Sequence, residues 1–407
     1  MKILMVNKFL YPRGGAETYM LRIGEFLSRQ GHQVEYFGMF DEKNTVGNSA
    51  GQYTGNMDFH SSGLARFAYP FRILYSLEAK KKIAKVLDAF RPDVVHLNNI
   101  NFQLTPSIID AIHSRGIPVV QTVHDYQMVC PNHLLYNYQE GSPCRRCIGG
   151  SKWNCAKYKC IHGSRVKSIL GSLEALLYKA HSAYDKVDCY ICPSVFLEQR
   201  LLEGSPRYRG KTVAIHNYIE LPEVPRKGEK GGYVAFASRL SKEKGVHLLA
   251  QAARMLPEYP FVIMGTGDEA HAFEGIENVT MTGFLTGSRL TETIAGAAFL
   301  VVPSICYENC PLSILEAQAL GVPVVTMNMG GMAELVRHGQ TGLLVDKAEP
   351  QALAEAIRQL MESPEMLEQM RKNCLASRSE MITMDRYCQK LMDIYQTVKE
   401  ASPCSRK

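Results

Sequence analysis

The sequence contains no long apolar run of the kind that crosses a membrane. No stretch of the 407 residues approaches about 18 uninterrupted apolar residues, the length from which a spanning helix is inferred. The apolar start MKILMV is interrupted by Asn7 and Lys8, so it is too short for the core of a signal peptide. These absences argue against a spanning or exported protein. We expect a cytoplasmic chain, with peripheral contact to the inner face of a membrane as its closest association.

The composition is that of a large globular chain with an uneven charge. With 46% hydrophobic and 21% charged residues, the chain can bury a large core, and its length favours two domains. Residues 1–217 hold 27 Lys and Arg against 17 Asp and Glu, whereas the remainder holds 19 against 23. The basic first half suits an anionic partner, either a membrane surface or a phosphate-bearing substrate. An ordinary solvated basic surface explains the same excess.

Short β-branched runs alternate with helical patterns along the whole chain, which predicts parallel sheets with helices on both faces. The first half contains KILMV, QVEYF, DVVHL, PVVQTVH, CYICPS and TVAIHN, and the second contains GYVAFASRL, FVIMGTG, NVTMTGF, AFLVVPS, VPVVTM and TGLLVD. Residues 219–232 are rich in Pro, Gly and charge and predict a linker. We therefore predict two Rossmann-like, doubly wound α/β domains, 1–217 and 218–380, that face a central cleft. A ligand should bind there, at the carboxyl ends of the strands.

Two loops at predicted strand ends have residues suited to phosphate. The first strand leads into Gly14 and Gly15, and a helix N-terminus behind a glycine loop attracts anions. The loop is not GxGxxG, so a simple tight turn also explains the two glycines. In the second domain, SRLSKEKG places Arg239 and Lys244 between a strand and a helix, where two cations can hold a diphosphate. Taken alone, an ordinary solvated basic loop is the better explanation of that pair.

The segment YENCPLSILE carries two glutamates, Glu308 and Glu316, in otherwise apolar surroundings. Pro311 fits the first helical position, which puts Glu308 in the loop before the helix and Glu316 inside it. Because helical side chains lean toward the N-terminus, Glu316 can reach a ligand lying across the helix start. Carboxylates accept hydrogen bonds from sugar hydroxyls, so the pair predicts polyol binding.

YENCPLSILE, SRLSKEKG, GGAE, GGMAELVRHGQTGLLV and TVHD together resemble the retaining family-4 glycosyltransferases of the GT-B fold, over nearly the whole chain. The resemblance implies transfer of a hexosyl-type sugar from a nucleotide-sugar donor, with UDP the commonest base. Under it, Arg239 and Lys244 bind the donor diphosphate. Glu316 binds the ribose hydroxyls, and Glu308 binds the transferred sugar. The implied acceptor is a glycan or polyprenyl-linked sugar in cell-surface polysaccharide synthesis.

The same resemblance assigns further roles. Gly15 would lie near the phosphates through its backbone, and His124 would line the reaction centre. The chain contains no Asp-x-Asp, which commonly holds a divalent cation on a nucleotide diphosphate, so we expect no catalytic metal. The leaving phosphate would assist deprotonation of the acceptor, and no protein base is assigned. Many relatives have glycines after the first glutamate, where this chain has Asn309, Cys310 and Pro311, and Pro311 offers no N–H. A helix within residues 381–407 would cross back to the first domain.

Five cysteines lie within residues 130–160, in the half of the chain that precedes the linker. One pair has the C-x2-C spacing of metal ligands, and a cytoplasmic chain would not keep structural disulfides. We therefore predict a structural zinc ion held by four of the five, with free thiols in a loop as the alternative. The five are Cys130, Cys144, Cys147, Cys155 and Cys160.

The cysteine segment is also basic, which leaves two alternative functions open. Seven Lys and Arg and no acid occur between Cys144 and Lys167, which favours an anionic acceptor or lipid headgroups. A zinc-ribbon nucleic-acid module shares these features. However, the segment interrupts a doubly wound domain and lacks an aromatic-interleaved basic surface, so we expect no nucleic-acid partner. The other alternative keeps the fold but changes the reaction, to a nucleotide-sugar epimerase or a phosphorylase.

Overall fold

A computed structural model of the protein describes residues 1–55, 74–223 and 232–402. The described chain forms two sheets of six parallel strands each, so the predicted fold class is confirmed. All twelve runs named above form strands, and one further hairpin, β5 and β6, was not predicted. The strands are β1 (Lys2–Val6), β2 (Gln33–Phe37), β3 (Val94–Leu97), β4 (Val119–Thr122), β5 (Tyr136–Asn137), β6 (Ser142–Pro143), β7 (Cys189–Cys192), β8 (Thr212–Ala214), β9 (Val234–Ala237), β10 (Phe261–Met264), β11 (Val279–Gly283), β12 (Phe299–Val302), β13 (Val324–Met327) and β14 (Gly342–Val345).

The strand orders fix where a ligand can bind. The first sheet has the order β2-β1-β3-β4-β7-β8 and the second β11-β10-β9-β12-β13-β14. The second is the Rossmann order, in which the direction of winding reverses between β9 and β12. In the first sheet the reversal lies between β1 and β3. Ligands of such sheets bind at the carboxyl ends of the strands at these reversal points.

The strands read as continuous apolar runs because helices cover both faces of each sheet. In β1, Leu4 and Val6 face one hydrophobic cluster while Ile3 and Met5 face another, as the two-residue period of a strand requires. The helices are α1 (Gly15–Arg29), α2 (Leu77–Phe90), α3 (Ser107–His113), α4 (Asn154–Lys157), α5 (Arg165–Ala180), α6 (Val195–Gly204), α7 (Val246–Arg254), α8 (Gly287–Gly296), α9 (Leu312–Ala319), α10 (Met332–Leu335), α11 (Pro350–Met361), α12 (Pro364–Ala376) and α13 (Met384–Ala401).

Helix α13 follows the second domain in sequence but packs on the first. The Tyr387 hydroxyl lies 2.6 Å from the Tyr19 hydroxyl, and the Tyr395 hydroxyl lies 2.6 Å from Nδ1 of His96. The chain crosses between the domains twice, and the two crossings run side by side where the Ile219 amide donates to the Ile382 carbonyl. Residues 224–231 of the predicted linker and 403–407 of the predicted terminal segment lie outside the described residues.

The assignment of the first domain to the acceptor and the second to the donor stays a prediction.

In the described ranges, no helix has both the length and the apolar character needed to span a bilayer.

Candidate active site

A cleft of about 1020 Å³ lies between the carboxyl edges of the two sheets. Both domains contribute to its walls, through the loops that follow β1, β4, β9 and β12. The six residues that sequence analysis assigned to sugar transfer all line this cleft: Gly15, His124, Arg239, Lys244, Glu308 and Glu316. The five clustered cysteines do not line it.

Lys244 and Glu308 form an ion pair between two loops of the second domain. The Ser304 hydroxyl also donates to Oε1 of Glu308, at 3.0 Å. Burial works against the Lys244 charge, but the Glu308 carboxylate opposes it and holds the pKa of Lys244 above its usual value. Lys244 is therefore a fixed cation at physiological pH, and an ammonium has three donors, so it can bind a further anion.

Arg239 supplies a second and more exposed cation. Its guanidinium donates to Oε1 of Glu243 at 2.7 Å, and its side chain is 68% exposed. Glu243 is buried and also accepts from the Ser241 hydroxyl at 2.8 Å. Burial raises the pKa of Glu243, but these hydrogen bonds outweigh burial and lower it. Arg239 lines the cleft, and its exposed guanidinium has further N–H donors available for an anion.

Glu316 faces the cleft from the second turn of α9, where it was predicted. Its carboxylate makes no hydrogen bond or ion pair within the described part of the chain. Burial raises its pKa, and the charge of Arg22 only partly offsets that effect. A partly buried acceptor without a partner is a suitable site for ligand hydroxyls, which supply the missing donors.

His124 lies on the opposite wall, at the end of β4. Its Nε2 lies 2.9 Å from Oδ1 of Asn98, and Tyr19 packs edge-on against the ring at 5.0 Å between centroids. Burial lowers the pKa of His124 to about 4. The imidazole is therefore neutral at physiological pH, and its Nε2–H donates a hydrogen bond to the side-chain oxygen of Asn98.

The N-terminus of α1 points into the cleft at Gly15. The helix has no side-chain cap, and a Cβ at Gly15 would meet no atom within 4 Å. The first amides of a helix have no intrahelical acceptor, and the helix dipole favours an anion beside them. Gly15 thus leaves open space in front of unpaired N–H groups.

Helix α9 differs by one residue from the prediction. Pro311 is the N-cap, in extended conformation, and the helix begins at Leu312 rather than at Pro311. The prediction of a first helical proline was wrong because Pro311 still belongs to the loop that carries Glu308. Leu312 and Ser313 provide the first amides that face the cleft.

The loop that holds Glu308 packs on two glycines that follow β13. The Gly331 amide donates to the Glu308 carbonyl at 2.7 Å. A Cβ at Gly331 would lie 1.6 Å from the carbonyl oxygen of Asn309, and Gly330 has a φ of +61°. Only glycine permits this close approach, which explains the GG of GGMAELV.

The same loop is also where the two domains meet. The Asn309 side chain donates to the His124 carbonyl at 2.9 Å, and Asn217 donates to the Cys310 carbonyl at 3.1 Å. The Tyr307 ring packs on Phe196 at 4.8 Å between centroids. The neighbours of Glu308 on both sides, Tyr307 and Asn309, therefore contact the opposite domain. The sequence did not predict this role for them.

Glu334 is a second interdomain contact that sequence analysis missed. Its carboxylate accepts from the amides of Val195 and Phe196 at the start of α6, at 2.9 and 2.6 Å. It also lies 2.9 Å from Nε2 of His216. Burial raises the pKa of Glu334, but these hydrogen bonds prevail and lower it. The residue was visible in GGMAELV, but nothing in the sequence showed that it would accept from the first amides of a helix in the other domain, in addition to that helix's N-cap Ser194.

The five clustered cysteines lie outside the cleft, around a small cavity of their own of about 10 Å³. Among the described residues, only His247, Glu269 and His271 bring three potential metal-ligand atoms within 4.8 Å of one another, so no three cysteine sulfurs reach that spacing. This group of two histidines and a glutamate also lies outside the cleft, and Nζ of Lys242 lies 3.9 Å from the Glu269 carboxylate.

Comparison with known proteins places this cleft in a family. The profile described as Glycosyltransferase Family 4 matches residues 13–222, and that described as Glycosyl transferases group 1 matches residues 218–375. An uncharacterized glycosyltransferase of Methanocaldococcus jannaschii is 22% identical over 98% of this chain and 99% of its own length. The D-inositol 3-phosphate glycosyltransferase of Pseudarthrobacter chlorophenolicus is 28% identical over 61% of this chain and 58% of its own.

Solved structures share the architecture. HepE of Anabaena, solved in complex with UDP, matches with a TM-score of 0.69 at 18% identity, over 98% of this chain and 100% of that one. Sucrose-phosphate synthase of Thermosynechococcus elongatus matches with a TM-score of 0.70 at 18% identity over the same shares. These likenesses show the fold, with two Rossmann-like domains that face each other across a cleft. The chain therefore belongs to glycosyltransferase family 4 and is a glycosyltransferase of the GT-B fold.

Proposed function

We propose that the protein transfers a hexosyl-type sugar from a UDP-sugar to a glycan or polyprenyl-linked acceptor, with retention of anomeric configuration and without a catalytic metal. The observation that carries the proposal is the arrangement of cations and carboxylates in the cleft. Lys244 is paired with Glu308, Arg239 lies five residues before Lys244 in the same loop, and Glu316 faces the cleft without a partner in the described part of the chain.

The donor would lie along the second domain. Its diphosphate would contact Lys244 and Arg239, whose charge replaces that of a metal ion, while the open space at Gly15 admits a phosphate to the first amides of α1. The ribose hydroxyls would donate to Glu316. The sugar would then lie beside Glu308 and face His124 across the cleft.

Transfer in this arrangement breaks the bond between the anomeric carbon and the phosphate oxygen, and it forms a bond to the acceptor oxygen on the same face of the sugar. The acceptor proton passes to the departing phosphate oxygen. Lys244 and Arg239 stabilise the negative charge that develops on the diphosphate. His124 is neutral, so it contributes hydrogen bonding and shape and adds no second positive charge at the anomeric carbon.

Support for UDP as the nucleotide comes from the relatives with this fold. HepE of Anabaena was solved with UDP and also with UDP-glucose. The role in polysaccharide synthesis draws on curated relatives such as the exopolysaccharide phosphotransferase of Streptomyces coelicolor, 34% identical over 41% of this chain and 18% of its own length.

The reaction is tested without knowledge of the acceptor. Many transferases slowly hydrolyse their donor, so the purified protein is incubated with UDP-glucose, UDP-galactose and UDP-N-acetylglucosamine in the presence of EDTA. NMR then follows the first sugar released. We expect UDP and an α-sugar from an α-linked donor. A first product of β configuration would refute retention. An altered UDP-sugar, or a sugar phosphate formed with added phosphate, would indicate the epimerase or the phosphorylase.

Replacing Glu316 by glutamine should weaken donor binding and remove its pH dependence. The amide keeps the shape but loses the charge that strengthens hydrogen bonds from hydroxyls, so we expect a loss of about 10- to 100-fold in UDP-glucose affinity. Because burial raises the pKa of Glu316 above the ordinary 4.5, wild-type affinity should fall as the pH is lowered from about 7 toward 4.5, before an ordinary glutamate would be half protonated. Calorimetric titration of both proteins at each pH measures the effect.

UDP-glucose is the appropriate ligand because its diphosphate does not titrate in this range. The matched control is Glu355→Gln, which changes an exposed glutamate on α11. Its binding should follow the wild-type pH profile. An identical profile in Glu316→Gln would show that another group causes the pH dependence.

Contact with a membrane would bring the protein to a lipid-linked acceptor. Helix α5 leaves Val166, Leu173 and Leu177 exposed at spacings that place them on one face. Exposed lysines and arginines accompany this stripe in the same segment. An apolar stripe with flanking cations is typical of a helix that lies in the interface of an anionic membrane.

Sedimentation with lipid vesicles tests this contact. We expect binding to vesicles that contain phosphatidylglycerol and little binding to phosphatidylcholine alone. Arg165→Glu with Lys167→Glu should abolish it, because both reverse the charge beside the stripe. The control pair Lys347→Glu with Lys372→Glu changes the same net charge on the second domain. An equal loss of vesicle binding in both double variants would refute a specific membrane-binding surface on α5.

A further inference from the structure

We propose that the cysteine segment binds one zinc ion through Cys130, Cys147, Cys160 and one of Cys144 and Cys155. The structure brings four separate parts of the chain together around one small cavity: the turn after β4, the residues after the β5–β6 hairpin, helix α4 and the approach to α5. All five sulfurs line that cavity, and no carboxylate does. A site made only of thiols suits zinc, or an iron–sulfur cluster, and excludes the hard cations that prefer oxygen.

Only part of the segment packs on the hydrophobic core of the first domain, through residues such as Cys130, Leu135 and Ile148. Around the other cysteines, the described residues form a small separate cluster of Cys147, Cys155 and Cys160, with Tyr158 and Ile161 partly buried against them. So small a cluster contributes little toward the entropy of ordering the residues around it. A structural metal is one of the usual devices by which such small units are stabilised.

The backbone of the segment also requires support. Of the eight non-glycine residues with positive φ in the described chain, four lie here: His133, Leu135, Lys159 and His162. Such a conformation is unfavourable for a residue with a Cβ and persists only where its surroundings hold it in place. Bonds from a metal to Cys130 and Cys160, which lie close to all four, would supply that constraint.

A buried cation that bonds to the backbone of Cys147 is the strongest single indication. Lys152 is only 8% exposed, and its ammonium donates to the carbonyls of Val129 and Cys147, both at 2.7 Å. It forms no salt bridge with any carboxylate in the parts of the chain described. A buried ammonium without a counter-ion is costly. Four thiolates on a divalent ion carry two net negative charges, and Lys152 would neutralise one of them.

Arg146 provides the second positive charge. Its guanidinium lies 3.9 Å from the sulfur of Cys144, and it also pairs with Glu140 at 2.9 Å. Cations around a thiolate site lower the energy of the charged complex and orient its ligands. The two sides of the site thus each carry one positive group.

The choice between Cys144 and Cys155 follows from two different observations. Cys144 has the C-x2-C spacing to Cys147 that metal-binding turns favour. Cys155 is buried with Cys147 and Cys160 in one cluster, whereas Cys144 is only half-buried. The sulfurs lie around one cavity, but they are farther apart than the sulfur ligands of a single zinc ion. Four sulfurs at zinc–sulfur bonds of about 2.3 Å lie roughly 3.8 Å from one another. Binding would therefore draw them inward.

The site would also support the sugar cleft, a consequence that rests on the proposed function. Arg145 lies between two of the cysteines, and its Nε donates to the Tyr307 hydroxyl at 3.2 Å. Its guanidinium also stacks over the rings of Tyr307 and Phe196. Tyr307 precedes Glu308, so the metal-bound segment would brace the loop that presents this carboxylate.

The metal content of the purified protein tests the site directly. Protein prepared without chelators and under reducing conditions should contain about one zinc per chain by mass spectrometry of the elements. Cys147→Ser and Cys160→Ser should lose it, whereas Cys189→Ser, a cysteine of β7 outside the segment, should keep it. Of Cys144→Ser and Cys155→Ser, the variant that loses zinc identifies the fourth ligand.

A second measurement does not depend on the variants folding. Mercurial titration of the folded wild-type thiols should release the zinc, as detected by a metal-binding dye, and cobalt substitution should give the intense visible bands of tetrahedral thiolate coordination. Purified protein with less than about a tenth of an equivalent of zinc, in which added zinc does not protect these thiols from alkylation, would overturn the proposal. So would iron in place of zinc. Neither readout uses sugar transfer, so a failed transferase assay leaves this result intact.

Discussion

Replacing Lys244 by alanine should lower kcat/KM for the sugar donor by about 10²- to 10³-fold. Lys244 is the least exposed cation of the cleft, and Glu308 keeps its ammonium charged and fixed in position. A cation held in place before the reaction stabilises the charge of the departing diphosphate without reorganisation, and the alanine variant loses that stabilisation entirely. Steady-state kinetics of donor hydrolysis or transfer measures the loss.

Lys242→Ala is the matched control for this prediction. Lys242 lies two residues away in the same turn, and its ammonium lies 3.9 Å from Glu269 on an exposed side chain outside the cleft. Its removal makes the same change of net charge, so we expect kcat/KM within about twofold of wild type. Equal losses of kcat/KM in the two variants would show that the overall positive charge of the loop acts on the donor. That result would contradict a specific role for Lys244.

Replacing Glu308 by glutamine should lower kcat by about 10²-fold while leaving UDP affinity unchanged or stronger. In our account Glu308 contacts the transferred sugar and holds Lys244, but it does not contact the nucleotide. The amide removes the charge that orients the sugar, and it also releases Lys244 to interact fully with the diphosphate. Separate measurements of kcat and of UDP binding by calorimetry are needed.

Comparison of the two glutamate variants makes this prediction specific. Glu316→Gln should weaken nucleotide binding with a smaller effect on kcat, and Glu308→Gln should do the reverse. The two residues lie on the same short loop and helix, so a general disturbance of this region would give both variants the same kinetic signature. The same loss of UDP affinity in both would refute the division of roles between sugar and ribose.

The strands and the cleft residues were predictable from the sequence because their signals are local. Parallel strands buried on both faces give continuous apolar runs, and residues at their carboxyl ends must gather at one edge of the sheet. Lys244 and Glu308 follow two neighbouring strands, so the sheet order alone brings them together. The position of Glu316 in the cleft could be predicted because helical side chains lean toward the N-terminus of their helix.

The interdomain contacts were not predictable because they depend on how two separate sheets meet. Glu334 caps α6, which lies about 140 positions earlier in the chain, and Asn309 donates to the carbonyl of His124. No periodicity or spacing records such a pairing. The cysteine spacing predicted a cluster but not the distances between its sulfurs, since those depend on the backbone path through the β5–β6 hairpin.

Calorimetric titration of UDP, GDP and ADP into the protein, with no divalent cation added, tests the central claim most directly. We predict that one of the three, with UDP expected, binds with a stoichiometry of one under these conditions, and that Lys244→Ala weakens this binding. Lys242→Ala should bind the nucleotide as tightly as the wild-type protein in the same titration. If none of the three binds more tightly than about 1 mM, or if binding requires an added divalent cation, the cleft is not the metal-independent donor site described above.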